Sequence, residues 1–345
     1  MTSITRYKLR KLLKYGLVAV GMVVLFGLYS GDLSVASLGG WFLLGLWTGV
    51  LEEFLFGRRF RSLAVPLQVL GKVLAVNALT LLLLLVGFYS GMEDLMPGGA
   101  SPVSGLKEYF STFDLVRVML RVVIITTATI LLVQLEELMG RRMFLGYVLG
   151  RYERPTPEER VMLTLDLVGS TTLAEKMGDL KYFRFLNTTY SLMTDAVLRN
   201  EAQIHKYIGD EVIFSWPMRI GVREQNCLDL YFDIVERLEE HAQEMNVEFG
   251  ELPRYRAAVH GGRVISAQIG HIKRAIEFSG DVMNTVSRML GASKELGTGL
   301  LVSAELLDRI PDVRSRFEVR ERHVLQVRGR KREVVVHPVL RTRKA

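Results

Sequence analysis

Two acidic residues stand where they could share a metal ion. Asp166 closes an apolar run in Thr164-Leu165-Asp166-Leu167-Val168-Gly169-Ser170-Thr171-Thr172, and Asp210 sits in the turn of Lys206-Tyr207-Ile208-Gly209-Asp210-Glu211-Val212. Carboxylates at the ends of neighbouring strands can hold hard divalent cations, which take oxygen ligands and bridge phosphates. Between them, Gly169, Ser170 and Thr171 open a helical segment whose free backbone N–H groups and dipole make a seat for a triphosphate. Each fragment alone has an ordinary explanation, since aspartate favours turns and Gly-Ser-Thr is a common helix start. Their joint appearance, with strand, helix and strand between the two carboxylates, is far more restrictive.

The elements around these residues follow from apolar periodicity. Residues 161–167 read as a short buried strand. Phe183, Leu186, Tyr190, Met193 and Val197 repeat at three and four positions and predict one face of a helix. Residues 204–208 and 212–216 predict a hairpin about Gly209-Asp210. Cys227, Leu230, Ile234 and Leu238 mark a second helix. Further strands are expected at 255–260, 264–269 and 276–279, then a helix from Asp281, and a terminal pair near 317–327 and 333–339. That order implies an α/β sandwich with a mixed sheet and helices packed on it.

The first part of the chain differs in kind. The 345 residues are 49% hydrophobic with a net charge of +7, and the mean hydropathy is +0.21. Apolar runs at about 12–30, 33–51, 73–92 and 118–135 each approach the ~20 residues that span a bilayer core. Arg121, inside the last run, can snorkel to the interface. Basic clusters flank the runs: Arg6, Lys8, Arg10, Lys11 and Lys14; Arg58, Arg59 and Arg61; Arg141 and Arg142. Such placement argues for membrane topology rather than nucleic-acid binding. It predicts a multi-pass protein of the cell (inner) membrane, with the N-terminus and the C-terminal half on the cytoplasmic side. A membrane domain is therefore expected over 1–135, a connecting helix and linker over 136–154, and a globular domain over 155–345. Pro155 and Pro157 end the linker.

The single cysteine, Cys227, excludes a disulfide framework or a cysteine-based zinc site within one chain. The six histidines lack ligand spacing, and neither a Walker loop nor a Gly-x-Gly-x-x-Gly element is present.

Three blocks in the globular half resemble the catalytic domain of class III adenylyl and guanylyl cyclases: residues 165–171, 206–212, and Phe278-Ser279-Gly280-Asp281-Val282-Met283-Asn284-Thr285-Val286-Ser287-Arg288-Met289. The resemblance covers about residues 155–340 and implies a ferredoxin-like, palm-like cyclase sandwich preceded by an all-α, four-helix transmembrane region. It also implies that Asp166 and Asp210, with the Leu167 carbonyl, hold two Mg2+ or Mn2+ ions. Asn284 would orient the ribose and Arg288 would neutralise charge at the α-phosphate; four residues apart, they share one helix face. Gly169, Ser170 and Thr171 would cradle phosphate. Arg330, in Arg328-Gly329-Arg330-Lys331, aligns with a phosphate-binding lysine of the family. In that family one subunit supplies the metal ligands and its twin the Asn and Arg, so a homodimer is implied.

Base choice follows from hydrogen-bonding capacity. Adenine presents an acceptor at N1 and an amine donor at N6, which suits a lysine and a carboxylate. Lys206 and Glu277 occupy those two positions in the resemblance. Glu277 departs from the family's usual Asp or Thr. The expected activity is conversion of ATP to 3′,5′-cyclic AMP and pyrophosphate. A guanylate or relaxed-specificity cyclase, or a non-catalytic nucleotide-binding membrane module, remains open.

Overall fold

The computed structural model describes residues 3–30, 35–55, 60, 63–90, 113–272, 274–326 and 333–342. It divides into two compact units, Met1–Arg141 and Arg142–Ala345.

In the first unit the apolar runs form α1 (Ser3–Ser30), α2 (Val35–Val50) with a π-helical turn at Leu51–Leu55, α3 (Val65–Ser90) and α4 (Phe113–Met139). Helix α3 begins at Val65 rather than near residue 73. Among the described residues, two stretches are long and apolar enough to cross a membrane, Val65–Leu83 and Val116–Met139. The run expected at 12–30 falls on α1, and the described part of the run expected at 33–51 forms α2 and the turn after it.

Around small apolar clusters such as Tyr15, Val73, Ile130 and Val133, this unit buries several polar groups and exposes many apolar ones. Lys11, Thr48, Lys72, Thr80, Thr126 and Thr129 are buried, while Leu17, Leu25, Leu43, Leu74 and Ile124 are exposed. The Thr48 and Thr80 hydroxyls donate to the carbonyls of Leu44 and Val76, each at 2.9 Å. Lys11 and Lys14, expected in a basic flank, instead enter ion pairs. Lys11 Nζ is 2.6 Å from Glu53 and 2.7 Å from Glu137, Lys14 is 3.3 Å from Glu136, and Lys72 pairs closely with Glu52. A buried ammonium persists only with such partners. The Arg121 guanidinium lies over the Phe26 ring, 5.5 Å from its centroid.

A left-handed Gly140 (φ 80°) follows α4, and a separate short helix, α5 (Arg141–Val148), comes next. The single connecting helix expected over 136–153 is thus broken at a glycine.

The second unit runs β1 (Thr156–Leu167), α6 (Ser170–Met177), α7 (Asp179–Arg199), β2 (Gln203–Ile208), β3 (Glu211–Pro217), α8 (Met218–Val222), α9 (Asn226–Glu240) and α10 (Ala242–Phe249). It continues through β4 (Tyr255–Ile269), β5 (Ala275–Ser279), α11 (Asp281–Glu295), β6 (Leu300–Ser303), α12 (Ala304–Leu307), β7 (Phe317–Val319), β8 (His323–Leu325) and β9 (Val334–Arg341). The strands join in the order β2-β3-β1-β4-β6-β9-β7, with β5 on β4 and β8 on β9. The β4–β6 pair is parallel and its neighbours antiparallel, so the sheet is mixed.

Strand β1 reads as an unbroken apolar run because both its faces are covered. Leu163, Leu165 and Leu167 pack with Phe185, Trp216 and Ile234 on one side. Met162 packs with Val282, Val286 and Met289 of α11 on the other. Cys227, Leu230, Ile234 and Leu238 of α9 are buried as their spacing requires. Phe183, expected on the inner face of α7, is 70% exposed; the buried face runs through Phe185, Leu186, Thr189 and Met193 instead.

The expected break between two strands at residues 261–263 is absent, and β4 is continuous. Its Gly261 answers to packing rather than to a turn. A Cβ there would stand 2.9 Å from the Met218 side chain and 3.0 Å from that of Leu306. Strand β6 escaped the pattern reading because its four residues run directly into α12.

The last strand is tied to α9 by charge. Arg341 donates to Asp229 at 2.6 Å and to Asp233 at 2.7 Å, and Arg316 reaches Asp229 at 2.8 Å. Both carboxylates are buried, so removing the shared cation leaves them undercompensated. Arg341→Met should cost about 3 kcal/mol, read as a lowered Tm of the full chain in detergent.

Candidate active site

Asp166, Asp210 and the start of α6 lie at one end of the sheet. Strand β1 delivers Asp166 one residue before it ends, and pairs antiparallel with β3, Leu165 facing Val212. The two-residue turn Gly209-Asp210 between β2 and β3 therefore lies beside the end of β1. Gly209 is left-handed (φ 62°), and the Tyr190 hydroxyl donates to its carbonyl at 2.9 Å. The Tyr190 ring also packs on Tyr207, 4.8 Å between centroids, which anchors the turn to α7.

Asp166 and Asp210 perturb one another. Burial raises the Asp166 pKa above the ordinary carboxyl value; the Arg256 guanidinium opposes that rise, and the Asp210 charge adds to it. Arg256 stands opposite Asp166 in the β1–β4 ladder and donates a close charge-assisted hydrogen bond to Asp166 Oδ2. Asp210 Oδ2 is buried without a hydrogen-bond partner. Glu211 belongs to the same field: burial raises its pKa, and Asp166 and Asp210 raise it further. Tyr255, buried against this end of the sheet, also has a hydroxyl without a partner.

This donor set fits a hard divalent cation. An unpaired, buried carboxylate oxygen beside a second carboxylate is a cost that bound Mg2+ or Mn2+ would remove. Among the described residues no three His, Cys, Asp or Glu side chains gather as a metal cage. The Leu167 side chain is buried in the core, leaving only its backbone to serve the site.

The start of α6 is open. Helix α6 starts after a left-handed Gly169 (φ 75°) with no side chain capping its first N–H groups. A Cβ on Gly169 would meet nothing within 4 Å, so the approach is open. Ser170 is half-buried and Thr171 exposed.

Lys206 of β2 and Glu277 of β5 come together although their strands are not paired in the sheet. Lys206 Nζ makes a close ion pair with Glu277 Oε1, and His205 Nε2 stands 3.6 Å from Oε2. Asn284 and Arg288 are exposed one turn apart on α11, above the buried Val282, Val286 and Met289. Arg330 lies outside the described residues. A cavity of about 380 Å³ lined by Met177, Asp179, Lys181, Arg184 and Phe249 contains none of these side chains.

Arg256, Glu211 and His205 were not legible as site residues. The signal for Arg256 is its cross-strand register with Asp166, which exists only once β1 and β4 are paired.

Residues 154–340 match the family described as the adenylate and guanylate cyclase catalytic domain. The chain is 41% identical over 207 residues to adenylate cyclase 2 of Rhizobium meliloti, an alignment covering 60% of this chain and 57% of that protein. It is 27% identical over 158 residues to an adenylate cyclase of Anabaena cylindrica, covering 42% and 30% of the two chains. The chain thus spans little more than half of the first relative and less than a third of the second. The fold is similar to that of a bacterial light-regulated adenylyl cyclase, with a TM-score of 0.54, 20% identity and 66% coverage of both chains. On its sequence match and its fold, the chain belongs to the adenylate and guanylate cyclase catalytic domain family.

Proposed function

We propose that this protein is a membrane-anchored adenylate cyclase, active as a homodimer, that converts ATP to 3′,5′-cyclic AMP and pyrophosphate. The observation that carries the reading is the convergence of Asp166 with Asp210, whose Oδ2 has no hydrogen-bond partner, beside the open start of α6. Nucleotide polyphosphate with divalent cations is the ligand class that answers both features.

Asp166, Asp210 and the Leu167 carbonyl would hold two Mg2+ or Mn2+ ions. Those ions supply activation of the ribose 3′-hydroxyl and neutralisation of phosphate charge. The N–H groups at Gly169, Ser170 and Thr171 receive the phosphates. Arg256, paired with Asp166, would be available to phosphate charge where a cation held that carboxylate. The partner's Asn284 orients the ribose, and the partner's Arg288 stabilises charge growing at the α-phosphate, where a planar guanidinium fork fits best. In the reaction the 3′-hydroxyl gives up its proton to solvent and its oxygen bonds to the α-phosphorus, while the bond from that phosphorus to the oxygen bridging the β-phosphate breaks and pyrophosphate leaves with the electron pair.

Adenine is favoured because Lys206 donates to its N1 and Glu277 accepts from its N6 amine. The two side chains meet in a close ion pair, so a base that takes up both must part them. Guanine presents the opposite order of groups. The buried polar and exposed apolar side chains of the first unit support a lipid surrounding, and the two apolar stretches in α3 and α4 support anchoring. The N-terminus and catalytic unit are then cytoplasmic, where ATP is.

The full-length chain in membranes, given ATP and Mn2+, should release cyclic AMP and pyrophosphate, with much less cyclic GMP from GTP. Asp210→Asn should reduce the rate on the order of 10²-fold or more, since even partners of metal ligands are worth 10–100-fold. The absence of product from the wild-type chain under both metals would sink the reading. Asp210→Asn and Asn284→Ala should each be inactive alone yet recover activity when mixed, because a symmetric pair with one subunit of each kind keeps one whole site. Failure of the mixture, with each variant dimeric, would refute the shared site.

A further inference from the structure

Two consecutive residues of a regular strand point to opposite faces of the sheet. His205 and Lys206 do not. Both reach the same carboxylate, Lys206 at Oε1 and His205 at Oε2 of Glu277. The cause lies in β2, where the β2–β3 register shifts between Ile204 and Lys206. A bulge adds one residue to a strand and re-aims its neighbours, and bulges gather beside active sites. Here the extra residue is His205.

We propose that His205 is a positioning residue for base recognition, holding the Glu277 carboxylate from the side opposite Lys206 so that one oxygen stays aimed at the N6 amine of adenine. The inference rests on the adenylate cyclase reading and adds a specificity determinant to it.

The His205 ring is well placed for this task. Its side chain is only 2% exposed. Its face packs on Phe278, 4.6 Å between centroids, and Phe278 in turn carries the Arg160 guanidinium 4.2 Å from its centroid. Arg160 is itself fixed by Gln203 and Ser215 at 3.2 and 3.1 Å. The imidazole therefore sits on a stack whose far end is pinned to the sheet. Its Nδ1 is buried without a partner, an arrangement that a merely structural histidine would avoid. Nε2 is left as the nitrogen with a function, and Glu277 is what it faces.

The protonation state agrees. Burial lowers the His205 pKa to about 4; Glu277 opposes the shift, while Lys206 and Arg160 reinforce it. The ring is neutral at physiological pH, so it can donate a hydrogen bond to Glu277 without cancelling the negative charge that attracts the amine. Lys206 holds the carboxylate, and the histidine stands at 3.6 Å, beyond hydrogen-bond length. Once N1 of the base draws Lys206 away, Glu277 loses that partner and His205 is the group beside it that can take its place. Glu277, one methylene longer than Asp, gains rotational freedom that a second hold removes.

The test compares His205→Phe and His205→Gln in the full-length chain in membranes, with ATP and GTP as alternative substrates and Mn2+ present. Phe preserves the stack on Phe278 and lacks a donor; Gln restores one. For His205→Phe we expect the KM for ATP to rise about tenfold and the ATP-over-GTP preference in kcat/KM to fall about tenfold, with the loss falling on KM more than on kcat. His205→Gln should recover most of both. Should His205→Phe show no cooperative thermal transition, His205→Met, apolar and adaptable, takes its place under the same expectation. An unchanged KM and unchanged ATP preference in a folded donor-free variant would overturn the proposal while leaving the cyclase reading intact. A wild-type chain that makes no cyclic nucleotide would overturn the cyclase reading first, so the two failures are distinct.

Discussion

Two carboxylates held side by side in a half-buried pocket repel one another, and the low dielectric of the surroundings sharpens that repulsion. Asp166 and Asp210 are in this position, and most of the catalytic unit exists to keep them there. Strand β1 is central in its sheet and apolar on both faces, so the position of Asp166 is set by the whole core. The hairpin that carries Asp210 is tied to α7 through Tyr190. Only Arg256 answers part of the charge, and one oxygen of Asp210 has no partner. Such a pocket is poised for cations.

The same sheet explains why Lys206 and Glu277 meet. Strand β2 is at one edge and β5 is a side branch on β4, so neither is locked between two neighbours. Edge strands accommodate bulges readily, and the irregularity at His205 costs the sheet little there. It turns two adjacent side chains toward Glu277. Donor and acceptor thus face each other across strands that share no backbone hydrogen bonds. By contrast, Asn284 and Arg288 lie on the outward side of α11, whose inner side is consumed by packing against β1 and β4. A helix can bury one face and offer the other to a second subunit, which is the arrangement a shared site requires.

In the first unit buried polar groups find partners close by. Threonine hydroxyls inside it return to their own helix carbonyls, and the buried lysines are matched by glutamates from other segments. Lys11, Glu53 and Glu137 come from the start of α1, the turn after α2 and the end of α4. Breaking such a buried pair leaves an uncompensated charge, at a cost of roughly 3–5 kcal/mol. The pairs therefore specify which helix ends meet.

The amino-acid sequence by itself determined the family, the alternation of strands and helices in the catalytic unit, and the identities of the paired aspartates and of Lys206 with Glu277. These were legible because they are local: a period of two or 3.6, a turn dipeptide, a short block of residue types. It misread Gly261-Gly262 as a break, because glycine marks both turns and close approaches, and only the neighbours Met218 and Leu306 tell which. It placed Lys11 and Lys14 in a basic flank, because their acidic partners lie tens of residues away. Arg256 opposite Asp166, and the bulge that turns His205 onto Glu277, depend on strand register. Register is set by how the whole sheet closes on its core, so tertiary structure alone decided them.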